Sequence, residues 1–314
     1  MKQSPVIVIG GPTACGKSGL ALAIAENFDG IIVNADAIQV YRDLRILTAR
    51  PTEDEEKSIP HRLYGILDAK ESCSAGTWQA LALKEIENIQ NTGKLPIIVG
   101  GTGLYLKALT EGIAPIPKIP LSVRKSVREF YSEVGKAEFY TQFTKKDPIM
   151  AARIQPNDAQ RLMRAWEVME ATGKSISLWQ EEKMQSPNLK FTMVVGTPLR
   201  EDLYAACDKR IFNMISDGVL EEVKALMIRF QNEKFNNLPV FKAIAFKEFS
   251  SYLAGDTTLD IAIAKAQQQT RRYAKRQMTW FRNQTNIEAG NKKRNIKVLK
   301  YSYLNHDKII SDIS

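Results

Sequence analysis

The segment VIVIGGPTACGKSGLALAIAE near the start of the chain limits both the fold and the ligand. Its residues 11–18 match the phosphate-binding pattern G-x-x-x-x-G-K-[ST] at every fixed position, between an apolar strand pattern and a helical pattern. Glycines let successive backbone N–H groups point at one anion. Lys17 adds positive charge and Ser18 offers a hydroxyl to Mg²⁺. We therefore expect a bound di- or triphosphate, held by Gly11, Pro12, Thr13, Ala14, Cys15, Gly16, Lys17 and Ser18.

Short apolar runs alternate with helical patterns through the first third of the chain. The runs at 5–9, 30–33, 63–67 and 95–99 are rich in β-branched residues and predict strands that are buried on both faces. Segments 18–27 and 77–91 predict helices between them. This alternation is typical of an α/β fold, here a P-loop NTPase-like parallel sheet flanked by helices.

The segment GIAPIPKIPLS interrupts this alternation. Its closely spaced prolines fit neither a helix nor a central strand, so we expect an extended connector. From residue 121 to about 185 the pattern is helical, and SPNLKFTMVVGTP then predicts a further buried strand. Helices are predicted at 201–217, 220–231 and 260–282. The predicted domains are a catalytic core at 1–113 and 191–285, an all-helical insertion domain at 114–190, and a C-terminal tail at 286–314 in which IKVLKYSYL is a candidate edge strand.

The net charge of +9 is concentrated at one end of the 314-residue chain. Residues 260–314 contain twelve Lys/Arg and four Asp/Glu, a balance of +8, so the rest is nearly neutral. Such a basic sector suits either a polyanion partner or a solvated helix and tail. The three cysteines are scattered, which argues against a zinc site, and no apolar run approaches the roughly 18 residues of a membrane helix. We expect a cytoplasmic monomer with no membrane partner.

Two polar residues follow predicted strands. Asp36, in GIIVNADAIQVY, is either a helix N-cap or an acid in the ligand crevice at the carboxyl ends of the strands. Thr102, in GGTGLY, either belongs to a tight turn or adds a hydroxyl to the same crevice. Many nucleotide triphosphatases hold Mg²⁺ with an acid at the end of a later strand, and the strand IIVG has none. A phosphate cradle, an acid and a hydroxyl suggest chemistry in which pyrophosphate leaves and the acid takes a proton.

Several blocks, in order from residue 6 to about 282, resemble the tRNA dimethylallyltransferase (isopentenyltransferase) family. They are GPTACGKS, NADAIQVY, TARPT, PHRL, IIVGGTGLYLKAL, ARIQPNDAQRLMRAWEVMEATGKS, MISDGVLEEV and TRRYAKRQMTWFR. The resemblance implies transfer of a dimethylallyl group from dimethylallyl diphosphate to the exocyclic amino nitrogen of the adenosine 3′-adjacent to the anticodon in tRNA, with Mg²⁺. It also implies that the helical insertion contacts the anticodon stem.

The resemblance assigns roles to individual residues. It implies that Asp36 is the general base, that Thr102 positions it, that Arg210 contacts the diphosphate and that Ser18 binds Mg²⁺. The implied tRNA contacts are Asp36, Ala37, Ile38, Gln39, Thr102, Arg124, Gln160, Arg161, Leu162, Met163, Arg164, Lys242 and Lys247. A basic strip in TRRYAKRQMTWFR comprises Arg271, Arg272, Lys275 and Arg276. The aromatic residues of that block, Tyr273, Trp280 and Phe281, are expected in the core.

Four departures from the family pattern lie outside the catalytic set. Ala37 replaces a usual serine, Leu47 begins LTARP where GTAKP is usual, and Ala206 replaces an arginine. The segment 242–247, KAIAFK, lacks the usual glycine and tyrosine. Two alternatives remain on the sequence alone: a P-loop nucleotide or small-molecule kinase, and a tRNA-binding protein that has lost catalysis.

Overall fold

The computed structural model describes residues 5–182, 187–231, 238–285, 296–302 and 306–313. The chain forms two compact units, one made of Met1–Thr110 with Asn188–Ser314 and the other of Glu111–Pro187. The two divisions lie three residues before those expected from the sequence. Residues 112–120 of the proline-rich connector have no regular secondary structure, as its prolines predict.

The larger unit is built on a parallel sheet. Its strands are β1 (Val6–Gly10), β2 (Gly30–Asn34), β3 (His61–Arg62), β4 (Leu95–Gly100), β5 (Phe191–Gly196) and β6 (Ile296–Tyr301). They are arranged in the order β3-β2-β4-β1-β5-β6, and every pair is parallel. The phosphate loop therefore leaves a strand near the centre of the sheet, beside the strand that precedes GGTG.

Helices cover both faces of this sheet. Alternate residues of β1 belong to two different apolar clusters, Val6 and Val8 to one and Ile7 and Ile9 to the other, as the two-residue period of a strand requires. The helices are α1 (Lys17–Asn27), α2 (Glu53–Ser58), α3 (Ala75–Asn91), α4 (Gly103–Glu111), α5 (Leu121–Lys146), α6 (Pro148–Ala151), α7 (Ala159–Thr172), α8 (Ile176–Glu181), α9 (Arg200–Ser216), α10 (Val219–Arg229), α11 (Phe246–Leu253), α12 (Leu259–Thr285) and α13 (His306–Ile313). The predicted α/β fold with a parallel sheet flanked by helices is confirmed.

The smaller unit contains α5 to α8 and is helical throughout its described residues. Helix α5 is interrupted at Gly135, whose φ of 73° and ψ of 172° are not helical. Its core joins α5 to α7 through the buried side chains of Phe139, Phe143 and Leu162. Among the described residues, no helix of either unit is long and apolar enough to cross a membrane.

Two predictions about the sheet need correction. The strand expected at 63–67 is wrong, because Leu63 has a φ of 62° and ends the extended chain after His61–Arg62. The segment 286–314 is not simply a tail, because β6 extends the sheet beside β5, as IKVLKYSYL indicated. Residues 286–295 lie outside the described part of the chain. One of the two alternatives for this basic region was a solvated helix and tail, whereas residues 296–301 instead pair with β5.

Candidate active site

The phosphate loop has the backbone conformation that its glycines permit. It joins β1 to α1, and Gly16 is the N-cap of α1 with a φ of 82°. Gly11 has a φ of 151° and Ala14 a φ of 62°. Turning residues at the start of a helix form a concave array of N–H groups at its positive end, which is an anion site. The sequence and the backbone geometry therefore agree on a phosphate cradle.

Two cations stand at this loop. The Lys17 ammonium donates to the Pro12 carbonyl at 2.6 Å. The Arg210 guanidinium, from α9, donates to the Thr13 hydroxyl at 2.8 Å and to the Thr48 carbonyl at 3.1 Å. Burial lowers the pKa of Arg210, and the negative charge of Asp36 acts in the opposite direction. Even a lowered arginine pKa leaves this group charged near neutral pH, because its ordinary value is far higher.

Gln277 on α12 joins the phosphate loop to the GGTG turn. Its side-chain oxygen accepts from the Thr13 N–H at 2.8 Å, and its amide donates to the Gly101 carbonyl at 2.9 Å. A Cβ at Gly101 would lie 2.2 Å from the Gln277 amide nitrogen, and one at Gly103 would lie 2.4 Å from Trp280. These close approaches explain why both turn positions are glycine. Gln277 is not among the site residues expected from the sequence, although it lies within the TRRYAKRQMTWFR block.

Asp36 uses one of its two carboxylate oxygens to hold a turn. Its Oδ1 accepts from the backbone N–H groups of Ile38 at 2.9 Å and Gln39 at 3.4 Å, so part of the capping alternative holds. Within the described residues, Oδ2 makes no hydrogen bond. The Asn34 side chain stabilises the same turn, because its Oδ1 accepts a hydrogen bond from the Asp36 N–H at 2.8 Å. The bonds to Oδ1 of Asp36 thus fix the orientation of the carboxylate in a residue that lines the crevice.

Thr102 braces the turn that carries Asp36. Its hydroxyl oxygen accepts from the Ala37 N–H at 2.9 Å, while its own N–H donates to the Ala35 carbonyl at 3.3 Å. The two strand ends, after β2 and after β4, are therefore joined directly. Because the hydroxyl oxygen is the acceptor in this bond, its proton is available to a ligand.

Two adjoining cavities meet at these residues. A polar one of about 170 Å³ is lined by the phosphate loop, including Lys17 and Ser18. A more apolar one of about 320 Å³ is lined by Thr102, Tyr273 and several aliphatic side chains. Both are lined by the same four residues at their junction, Thr13, Asp36, Thr48 and Arg210. An anion cradle and an apolar chamber therefore share an acid and a half-buried guanidinium.

This arrangement agrees with what comparison with known proteins finds. The family model described as IPP transferase matches residues 39–284. The chain belongs to the IPP transferase family. Membership confirms the resemblance that the sequence blocks indicated and supports the prenyltransferase interpretation over the kinase alternative.

Named relatives of this IPP transferase are similar over most of their length. The tRNA dimethylallyltransferase of Rhodospirillum centenum is 47% identical over 282 residues, which cover 89% of each chain. That of Zymomonas mobilis is 46% identical over 286 residues, covering 90% of this chain and 89% of the relative.

Solved structures of related enzymes are also similar. The tRNA isopentenylpyrophosphate transferase of Bacillus halodurans matches with a TM-score of 0.65 and 33% identity, covering 98% of this chain and 94% of that one. A eukaryotic dimethylallyltransferase acting on tRNA matches with a TM-score of 0.78 and 29% identity, covering 96% and 75% of the two chains.

The remaining expected contacts of the larger unit lie partly in the cavity. Ala37, Ile38 and Lys242 line the apolar chamber, as expected of groups that meet a substrate. The Gln39 amide donates to the carbonyls of Thr48 at 2.8 Å and Ala49 at 3.0 Å, which fixes the LTARP loop. Lys247 is exposed on α11 and lines neither cavity.

The residues of the helical unit that were expected to contact tRNA differ in how exposed they are. Gln160 and Arg161 are exposed on α7, and Arg161 pairs with Asp158 at 3.3 Å. Arg164 is half-buried and pairs with Glu167 at 3.2 Å. The side chains at Met163 and Arg124 are half-buried. The assignment of Leu162 needs correction, because its side chain is wholly buried in the helical core and is unavailable to RNA.

The basic strip on α12 is only partly free. Arg271 pairs with Asp208, whereas Arg272 and Lys275 are exposed and make no ion pair with described residues. Phe281 is in the core as predicted, and Trp280 packs on Gly103. Tyr273 instead lines the apolar chamber, so its assignment to the core is wrong. Burial and the nearby Asp36 raise the pKa of the Tyr273 phenol, which keeps it a proton donor.

A metal site made only of protein side chains is not found within the described ranges, since no group of three His, Cys, Asp or Glu residues has the required arrangement. Ser18 is exposed in the polar cavity and makes no side-chain hydrogen bond to described residues. A hydroxyl beside a phosphate site suits Mg²⁺, which usually keeps several waters and takes ligands from the substrate phosphates.

Proposed function

We propose that this chain is a tRNA dimethylallyltransferase. It transfers a dimethylallyl group from dimethylallyl diphosphate to the exocyclic amino nitrogen of the adenosine 3′-adjacent to the anticodon. The observation that carries the proposal is the junction of the two cavities, where Asp36, Thr13 and Arg210 border both. The diphosphate occupies the polar cavity, and the prenyl group and the adenine meet in the apolar chamber beside the carboxylate.

The reaction breaks the allylic carbon–oxygen bond and forms a carbon–nitrogen bond. Negative charge develops on the departing pyrophosphate, where Lys17, Arg210 and the loop N–H groups stabilise it. The amino nitrogen of adenine loses one proton as the new bond forms. The Oδ2 of Asp36 accepts that proton, while the bonds to Oδ1 keep the carboxylate oriented. Thr102 holds the same turn through the Ala37 N–H.

Mg²⁺ fits as the cofactor. Ser18 would hold it together with phosphate oxygens and water, because the polar cavity has no carboxylate cluster among the described residues. When bound, the ion supplies positive charge to the leaving pyrophosphate. The enzyme acts as a cytoplasmic monomer.

The helical unit supplies contacts to the anticodon stem. Exposed cations such as Arg161 suit phosphate contacts, whose affinity falls as salt rises because bound counterions are released. Arg161→Gln should therefore weaken tRNA binding and flatten its salt dependence by about one unit of slope. Lys57→Gln, at an exposed lysine of the larger unit, is the control and should change neither.

One assay separates the candidate functions. The protein is incubated with tRNA and either prenyl-labelled dimethylallyl diphosphate or γ-labelled ATP. We expect prenyl label in tRNA that carries the target adenosine and none in tRNA with inosine at that position, because inosine lacks the amino group. Movement of the ATP label would support a kinase, and tRNA retention without movement of either label would indicate a binding protein.

A further inference from the structure

We propose that Tyr301, the last residue of β6, is a positioning residue for the phosphate loop. Its hydroxyl donates to the Cys15 carbonyl at 3.3 Å and lies 3.5 Å from the Cys15 Sγ. Tyr301 is buried, with 1% of its surface exposed, and lies outside the residues 39–284 that the family model matches. The inference rests on the proposed function, since it assumes that the loop binds a diphosphate.

The bond to Cys15 orients a neighbouring donor. The Cys15 carbonyl and the Gly16 N–H belong to one planar peptide unit, in which they point in opposite directions. Fixing the carbonyl toward Tyr301 therefore directs the Gly16 N–H away from β6. Gly16 lines the polar cavity and begins α1, where N–H groups bind anions. Tyr301 thus sets the direction of one donor of the cradle without touching the ligand.

The packing around this bond leaves little freedom for the loop. A Cβ added to Gly11 or Gly196 would lie 2.9 Å or 2.6 Å from the Cys15 Sγ, so the thiol is enclosed by two backbone segments. The end of β6 is fixed as well, because the Tyr301 carbonyl accepts two hydrogen bonds from Thr197. The Thr197 N–H donates at 2.8 Å and the Thr197 hydroxyl at 3.2 Å. The backbone that carries the Tyr301 hydroxyl is therefore held in place.

Tyr301→Phe tests this role because it removes only the hydroxyl. We expect the Kd for inorganic pyrophosphate, measured by calorimetry, to rise about 3- to 10-fold, the effect of one hydrogen bond. The KM for dimethylallyl diphosphate should rise in parallel, whereas the KM for tRNA stays unchanged. Pyrophosphate should also raise the melting temperature of the variant less than that of the wild type.

Tyr105→Phe is the matched control. The Tyr105 hydroxyl also donates to a cysteine carbonyl, that of Cys73 at 3.2 Å, but this bond lies outside the loop. Both variants should lose similar stability without ligand, and only Tyr301→Phe should lose pyrophosphate affinity. An unchanged Kd in Tyr301→Phe, or an equal loss in both variants, would overturn the inference. Wild-type protein that binds no pyrophosphate would instead refute the proposed function, and the inference with it.

Discussion

The Arg210 guanidinium and the Thr13 hydroxyl form a 2.8 Å hydrogen bond that ties helix α9 to the phosphate loop. The same guanidinium reaches the Thr48 carbonyl of the LTARP loop at 3.1 Å. One side chain thus joins three segments at the point where the polar and apolar cavities meet. Arg210 thus organises the site, and its charge lies where the proposed reaction would release pyrophosphate.

Replacing Arg210 should impair the chemical step. Arg210→Gln removes the positive charge at the junction, and we expect kcat to fall about 10²- to 10³-fold, as when one preorganised donor is lost. Lys209→Gln removes the same charge from the adjacent, exposed position of α9 and should leave kcat unchanged. Steady-state kinetics of prenyl transfer compare the two. An equal loss of kcat in both variants would show that only the net charge of the helix matters, and an unchanged kcat in both would contradict the role of Arg210.

Asp36→Asn should separate catalysis from folding and binding. The amide oxygen still accepts from the Ile38 N–H, so the turn is retained, but the side chain no longer accepts a proton at neutral pH. We expect kcat to fall about 10²- to 10⁴-fold while tRNA affinity stays at the wild-type value. Asp29→Asn, at an exposed turn, is the control. A fully active Asp36→Asn enzyme would contradict the assignment of the base.

The local parts of this architecture could be predicted from the sequence. The strands around the phosphate loop are short apolar runs buried on both faces, and the loop itself is specified by adjacent residues. The position of Asp36 follows from the rule that ligands bind at the carboxyl ends of parallel strands. These features depend on neighbours in sequence, which is why pattern and motif were sufficient.

The residues that support the site could not be predicted in the same way. Gln277 reaches Thr13 across 264 positions, and Tyr301 reaches Cys15 across 286. No local sequence pattern predicts such distant partners for a glutamine in a long helix or a tyrosine in a short strand. The β-strand prediction at 63–67 failed for a related reason, because the backbone reversal at Leu63 depends on tertiary contacts, including the Asn34 amide that donates to its carbonyl at 3.1 Å.

Glu222 on α10 should be required for the shape of the LTARP loop. Its Oε1 accepts from the N–H groups of Arg45 at 2.5 Å and Ile46 at 2.8 Å, and its Oε2 accepts from Leu47 at 2.8 Å. In Glu222→Gln an amide NH₂ group replaces one carboxylate oxygen, and this group cannot accept a hydrogen bond from a backbone N–H. We expect the free energy of unfolding to fall by about 1–3 kcal/mol, and kcat to fall because Thr48 shifts away from Arg210.

Urea unfolding and prenyl-transfer kinetics measure both effects. Glu221→Gln is the matched control, because Glu221 is the exposed neighbour on the same helix turn and should tolerate the change. If the two variants were equally stable, the three hydrogen bonds to Glu222 would contribute nothing measurable to the loop.

The departure at Ala245 should have a measurable energetic cost. Ala245 has a φ of 70° at the N-cap of α11, a left-handed conformation that costs an L-residue about 1–2 kcal/mol and glycine almost nothing. Ala245→Gly loses the burial of one methyl group and gains chain entropy in the unfolded state, and both effects destabilise the protein. Relief of the backbone strain should offset them, so we expect this variant to be at least as stable as the wild type. Ala254→Gly, at the other end of α11 with a φ of −79°, relieves no strain and should lose about 0.5–1 kcal/mol. Equal losses in thermal unfolding of both variants would show that the left-handed backbone at Ala245 is not strained.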